Sequence, residues 1–389
     1  MRKLIYMLLL GVFAACSKED ALTPSVVKNW YVITPTENMD EVDGLIYSLY
    51  DKYGKAVFYE DTIGSEDRGW KDENGNPKPY YEVLRLDYDM TELNDIVHKI
   101  TYNSVDISTP EKKNAMLPLL KLMDEKLLPW VDGAEVFIPA ILIVQDMERS
   151  QKPLYVHRGF GVLGFALNGY EQPNPDSLFQ RVFLHEVCYS ALSERLTTFH
   201  ELVTGAFESG TSVSPVIAKD CWGLNYATFV SSYADWVISV NNMQTYADMK
   251  VMYQKQKDDA LEKLKDPNLS AEERKQLESK VSSANMLINF ADSKLGGYDE
   301  YMANLAQYGP ESFGLLSLKR GKVDDRTVFY IPTKEEDFAA YLDALLDYND
   351  LEFREKYKDF PTVVARYVLM KYVLEEVGFD LEKIKSGMK

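Results

Sequence analysis

Cysteine is scarce in this sequence. The chain of 389 residues has only Cys16, Cys188 and Cys221. This number excludes a framework of disulfides as the basis of the fold. One disulfide between Cys188 and Cys221 stays open, but Cys188 lies in an apolar helical stretch, which favours a buried thiol.

An excess of positive charge is also missing. The formal net charge is −18, from 43 Lys and Arg against 61 Asp and Glu. Phosphate binding needs a basic surface, so this balance argues against nucleic acid as a partner. Hydrophobic residues make up 46% of the chain, which is enough for a sizeable core and argues against global disorder.

After the N-terminus, the sequence has no hydrophobic run long enough to span a bilayer. The N-terminus itself has Arg2 and Lys3, an apolar run over residues 4–13 and small residues before Cys16. We interpret residues 1–15 as a secretory signal peptide and residues 16–28 as a polar tether. Cys16 follows Ala14-Ala15 as in a bacterial lipobox, which predicts its acylation. A plain signal peptide cleaved nearby is the alternative. The acidic "SKED" that follows resembles a surface-export signal of lipoproteins.

Several common catalytic motifs are absent. No GxSxG sequence occurs between a strand and a helix, which argues against a hydrolase of that type. The glycine-rich "GFGVLG" at 159–164 is not followed by a phosphate-binding helix, so a nucleotide site is not expected. A glycosidase pair of carboxylates stays open, because spacing in sequence does not report spacing in space.

Hydrophobic periodicity predicts most elements of the chain. Strands are expected in "WYVIT" (30–34), "KAVFYED", "AEVFIPAILIVQD" and "GFGVLGFALNG". Helices are expected over residues 39–53, 110–130, 175–203, 334–347 and 361–376. Strands concentrate early and helices late, so the predicted fold class is α+β, helix-rich.

Residues 245–292 differ from the rest, because they are rich in charge and helical in pattern. The sequence "DPN" interrupts the pattern, and Ser270 with Glu273 forms a capping box for a second arm. We therefore predict a helical hairpin, inserted between a core part at 29–244 and a C-terminal helical part at 293–389 that completes the core.

The sequence "FLHEVCYSAL" at 183–192 begins like the helix of a zinc peptidase. In such a helix two histidines four residues apart share one face and bind the ion, and the glutamate after the first activates a water molecule. Here His185 and Glu186 are present, but Tyr189 stands where the second histidine is expected. His200 lies about 22 Å further along a continuous helix, too far to share a metal unless the helix breaks.

After the lipoprotein start, six further stretches follow one another along the chain: "YGKAVFYE" (53–60), "EKKNAMLPLLKLMDEKLLPWVDG" (111–133), "VFIPAILIVQD" (136–146), "FLHEVCYSAL", "EEDFAAYLDALL" (335–346) and "YVLMKYVLEEVGFDLEKIK" (367–385). In this order they resemble a family of lipoproteins from Bacteroidetes, the substrate import-associated zinc metallohydrolases, which is zincin-like and peptidase-like. The resemblance covers most of the chain except about 205–325.

The resemblance implies a zincin-like fold and a zinc site. His185 would be the first ligand, Glu186 the catalytic general base and Glu336 the third ligand. Tyr189 stands at the position of the second ligand and is the candidate replacement for it, and Ala340 stands where a supporting glutamate is expected. A phenol binds zinc only as phenolate, and the unperturbed pKa of tyrosine is about 10.

The resemblance further implies a lipid-anchored outer-membrane protein, exposed on the cell surface beside a TonB-dependent nutrient importer. Two functions follow. One is a zinc metallohydrolase that acts on a peptide or a glycan. The other is a non-catalytic binding or accessory lipoprotein that keeps the fold without the metal.

Overall fold

The fold is seen in a computed structural model, which describes residues 28–86, 100–138, 140–159, 161–192, 194–210, 221–226, 243–296, 309–323 and 326–388. The predicted signal peptide, Cys16 and most of the predicted tether lie outside these ranges.

The chain folds into mixed helices and strands, as the predicted α+β class requires. The strands are β1 Ala56–Phe58, β2 Thr62–Glu66, β3 Tyr80–Val83, β4 Ile100–Ser104, β5 Ala140–Arg149, β6 Lys152–Pro153, β7 Val156–Gly159, β8 Val162–Ala166, β9 Lys319–Val323 and β10 Arg326–Tyr330. The α-helices are α1 Glu41–Tyr53, α2 Pro110–Asn114, α3 Leu117–Leu122, α4 Leu128–Val131, α5 Pro175–Leu192, α6 Thr197–Gly210, α7 Met243–Lys263, α8 Ala271–Leu295, α9 Lys334–Asp347, α10 Asp350–Lys356, α11 Pro361–Glu376 and α12 Leu381–Met388.

Across the described ranges, the central sheet has six strands, with β1, β5, β8 and β7 in that spatial order. β1 and β8 run parallel to β5, whereas β7 is antiparallel to β8. β4 and β6 pair with the second half of β5. The predicted strands in "KAVFYED", "AEVFIPAILIVQD" and "GFGVLGFALNG" are confirmed, and β1 and β7 are the two ends of the strand order.

The predicted strand at residues 30–34 is wrong, since this segment forms turn and irregular backbone. The N–H of Tyr31 donates to the side chain of Asn29 at 3.0 Å and not to a neighbouring strand. The ring of Trp30 lies so close to Gly64 of β2 that a Cβ there would stand 2.1 Å from it. The aromatic side chains of this segment therefore serve packing onto β2.

The predicted helix at 175–203 covers α5 and the first half of α6, and it is wrong as a continuous helix. α5 ends at Leu192 and α6 begins at Thr197. The carbonyl of Leu192 accepts from the N–H groups of Arg195 and Leu196, at 2.7 and 3.1 Å, and this tight turn redirects the chain. Burial of Leu196 and Phe199 in the main core stabilises the new direction.

The predicted hairpin is confirmed as two antiparallel helices, α7 and α8, with Lys250 and Asp292 paired across them at 3.0 Å. The capping box of Ser270 and Glu273 is present. Small buried side chains such as Ala260 and Ala284 let the helices pack, while the other faces are solvated. That the hairpin is an insertion stays a prediction.

The main core lies between one face of the sheet and the helices α1, α5, α9 and α11. A smaller apolar cluster that includes Leu86, Leu142 and Ala166 covers the other face. This arrangement holds α5 between β7 on one side and α9 on the other, and so places the sequence around His185. In the ranges given above, no helix is both long and apolar enough to cross a membrane.

Candidate functional site

α5 carries the His185–Glu186 pair on a partly exposed side of the helix. The opposite side, with Phe179, Phe183 and Val187, is fully buried in the main core. This burial fixes the rotation of α5, so that His185 faces α9 and Glu186 faces β7.

His185 is held by an acidic residue that sequence reasoning missed. Its Nε2 lies 3.0 Å from Oδ1 of Asp343 on α9, and the same oxygen accepts from Arg181 at 2.9 Å. Arg181 also pairs with Asp347, one turn further along α9. Burial alone would raise the pKa of Asp343, but its bonds to His185 and Arg181 hold that pKa below the usual value. The carboxylate is therefore ionised, and Nε2 of His185 carries the proton that it donates.

Glu186 contacts the backbone of β7, the last strand in the order of the described sheet. Its Oε2 accepts from the backbone N–H of Arg158 on β7 at 3.1 Å. Burial, and next the negative charge of Glu335, raise the pKa of Glu186 to about 7; the bond from Arg158 and the charges of Arg149 and Arg158 oppose the rise. A carboxyl with such a pKa exchanges a proton near neutral pH, which is a property of general bases.

Tyr189 is a packing residue in this arrangement. Its ring lies 5.3 Å from the ring of Phe338, and the side chain packs against the main core. Burial raises the pKa of Tyr189, and the charge of Glu335 raises it further. The phenol is therefore neutral at physiological pH, whereas zinc binding needs phenolate.

Glu336 is bound at the start of its own helix and to β9. Its carboxylate accepts from the backbone N–H of Thr333 at 2.9 Å, which completes the capping box at the start of α9. It also pairs with Lys319 of β9 at 2.6 Å. Burial opposes ionisation, but Lys319 and Thr333 lower the pKa of Glu336 below its usual value. The acidic residue of α9 whose charge reaches Glu186 and Tyr189 is the neighbour, Glu335.

The second His-Glu pair belongs to a structural cluster. His200 on α6 lies against Trp222, and its Nδ1 is 3.9 Å from Asp337, too far for a hydrogen bond. Burial, and then the charges of Arg366 and Lys334, lower the pKa of His200 to about 3, so it is neutral. Arg366 is buried beside it, and donates to Asp337 and to the carbonyls of Phe199 and Gly314.

The other described histidine and the two described cysteines are buried. His157 is a buried residue of β7. Cys188 and Cys221 are both buried free thiols and form no disulfide. Burial raises the pKa of Cys221 to about 12, and burial also raises that of Cys188. Neither thiol is therefore a thiolate at neutral pH.

As arranged, the side chains around α5 do not fit a zinc ion. Nε2 of His185 donates to Asp343, Tyr189 is a neutral phenol, and Glu336 is engaged with Lys319. A nitrogen that donates a hydrogen bond cannot at the same time give its lone pair to a metal. Within the part of the chain that the structure describes, no three His, Cys, Asp or Glu side chains form a group able to hold a metal.

Asp343 and Glu335 lie eight residues apart in "EEDFAAYLDALL", so the helical pattern could place them on one side of α9. No local signal in the sequence pairs either residue with α5. Comparison with known protein families, with curated proteins and with solved structures gives no match to this chain.

Proposed function

We propose that the chain is a lipid-anchored outer-membrane lipoprotein that keeps a zincin-like fold, lacks a metal-dependent hydrolytic centre, and serves nutrient import as a binding or accessory subunit. The main support for the loss of the metal centre is the contact between His185 and Asp343 at 3.0 Å. It occupies Nε2 of His185 as a donor, so that a metal could be bound only through Nδ1.

Two further contacts support this proposal. Tyr189, at the position of the second histidine, packs on Phe338 in its neutral form. Glu336, the third expected ligand, caps its own helix and pairs with Lys319. Three expected ligands thus have three structural roles, each sufficient to explain the residue without a metal.

The lipid anchor and the import role rest on the sequence. The apolar run, the small residues and Cys16 resemble a lipoprotein signal, and the six collinear stretches resemble lipoproteins that accompany TonB-dependent importers. Acylation of Cys16 would tether the globular part to the membrane surface.

One observation favours the second function, a zinc metallohydrolase. The pKa of Glu186 is raised to about 7, as suits a base that activates water. In this alternative, Nε2 of His185 would have to bind the ion in place of Asp343. Tyr189 would also have to lose its proton, although burial raises its pKa.

Complementation in a Bacteroidetes host distinguishes the two functions. A strain that lacks the gene is grown on the nutrient whose uptake depends on it and is supplied with variants of the full chain. We expect Cys16→Ser to fail, because the anchor is lost, and the double variant His185→Ala with Glu186→Gln to restore growth. Failure of the double variant, at normal abundance in the outer membrane, would contradict the accessory role and favour the hydrolase.

A further inference from the structure

A cavity of about 300 Å³ opens between the segment that precedes α1, the helix α1, and the strands β1 and β2. β1 is at the opposite end of the strand order from β7, with β5 and β8 between them. Since neighbouring strands are about 4.8 Å apart, the cavity lies well away from Glu186, which contacts β7.

The cavity combines an apolar floor with a polar rim. Ile46 and Val57 line it and are 5% and 1% exposed, so they form the floor. Thr34, Thr36 and Thr62 also line it and are exposed, so these residues form the rim, and the hydroxyl of Thr62 donates to Asp61 at 3.2 Å. Such a combination binds a small molecule that has an apolar body and a polar end.

The charged groups around the cavity are unequal in sign. Lys113 pairs with Asp40 at 2.7 Å and with Asp43, which lines the cavity, at 2.8 Å. The hydroxyl of Tyr59 donates to Asp43 at 3.1 Å. Glu60 lines the cavity as well, and nothing in the described ranges bonds to its carboxylate. Among these described groups, the ammonium of Lys113 stands against the carboxylates of Asp40, Asp43 and Glu60, of which Asp43 and Glu60 line the cavity, so negative charge is in excess.

We propose that this cavity binds a small organic cation, a primary amine carried on an apolar body. The ammonium pairs with Glu60 and donates to the threonine hydroxyls at the rim, while the body contacts Ile46 and Val57. An anion of the same shape is repelled by the excess of carboxylates. The proposal is independent of the zinc site and of the import role.

Three probes of one shape test the charge preference: phenethylamine, 2-phenylethanol and 3-phenylpropionate. Each is titrated by calorimetry into the full mature chain in detergent, at low ionic strength. We expect one phenethylamine per chain, at least tenfold weaker binding of the alcohol, and no binding of the carboxylate. Salt should weaken the binding of the amine, because one face of the site is solvated.

Three variants test whether phenethylamine binds in this cavity. Glu60→Gln is expected to weaken phenethylamine at least tenfold, and Thr36→Trp, which fills the mouth, to abolish it. Glu73→Gln, an exposed glutamate of the loop after Trp70, is the matched control and should bind as the unaltered chain does. Equal affinity for amine and alcohol, unchanged affinity in Glu60→Gln, or no binding of the amine would each overturn the proposal.

Discussion

Nε2 of His185 and Oδ1 of Asp343 lie 3.0 Å apart, on two helices that pack against each other. Asp343 also accepts from Arg181, so one carboxylate joins two basic side chains of α5 to α9. In a zinc helix the imidazole binds an ion. Here it stabilises the packing of two helices.

Glu186→Gln should change how stability depends on pH. The pKa of Glu186 is raised from an ordinary value of 4.5 to about 7 in the folded chain. Between these values the folded chain holds a proton that the unfolded chain has released, so this group lowers the free energy of unfolding as the pH rises. The neutral amide removes this effect. We therefore expect the free energy of unfolding of Glu186→Gln, relative to that of the unaltered chain, to rise by about 1–3 kcal/mol from pH 5 to pH 8.

Urea unfolding at the two pH values measures this difference. Glu194→Gln, an exposed residue beyond the end of α5, serves as control and should track the unaltered chain at both. If the free energy of unfolding changes equally in Glu186→Gln and in the unaltered chain from pH 5 to pH 8, the raised pKa of Glu186 is contradicted.

Two adjacent glutamates of α9 should respond differently to alanine. Glu336→Ala removes the capping-box bond and the pair with Lys319, which should cost about 1 kcal/mol at pH 8. Glu335→Ala loses a favourable charge in the first turn but relieves its repulsion of Glu186, so the net change should be smaller. Thermal unfolding of the two variants gives the comparison, and a larger loss in Glu335→Ala would contradict these roles.

Arg366→Met should be strongly destabilising. Arg366 is 0% exposed and Asp337 is 1% exposed, so the variant leaves a buried carboxylate without its partner. We expect a loss of about 3–5 kcal/mol by urea unfolding, whereas the exposed Arg354→Met should cost less than about 0.5 kcal/mol. Addition of Asp337→Asn should recover part of the loss, because the uncompensated charge is removed. If the two single losses simply add, the pair is not coupled.

Local signals in the sequence predicted some elements to the residue. α9 spans 334–347 as expected, because Thr333 and Glu336 cap its start, and α11 starts at Pro361, which suits a first helical position. The capping box of α8 was predicted for the same reason. These features depend on neighbours within four residues.

Features that depend on distant contacts were missed. The helix breaks after Leu192 although residues 176–204 contain no Gly or Pro that would predict a break. The break depends on the burial of Leu196 and Phe199 in the main core. Asp343 is 158 residues from His185, so its partner became visible only when α9 packed on α5. The helical pattern predicted the helix that contains His185 and Glu186. The contacts of each side chain could not be predicted, because they depend on which element packs against it.

Zinc affinity tests the central claim most directly. The chain without residues 1–15, purified without chelator, is titrated with zinc against a chromogenic chelator, beside His185→Ala and the double variant Tyr189→His with Asp343→Ala. The double variant restores the second histidine and removes the acceptor that occupies Nε2 of His185. The account predicts that the unaltered chain and His185→Ala both fail to compete for zinc, and that the double variant binds it more tightly. Near-stoichiometric zinc in the unaltered chain, lost in His185→Ala, would contradict it.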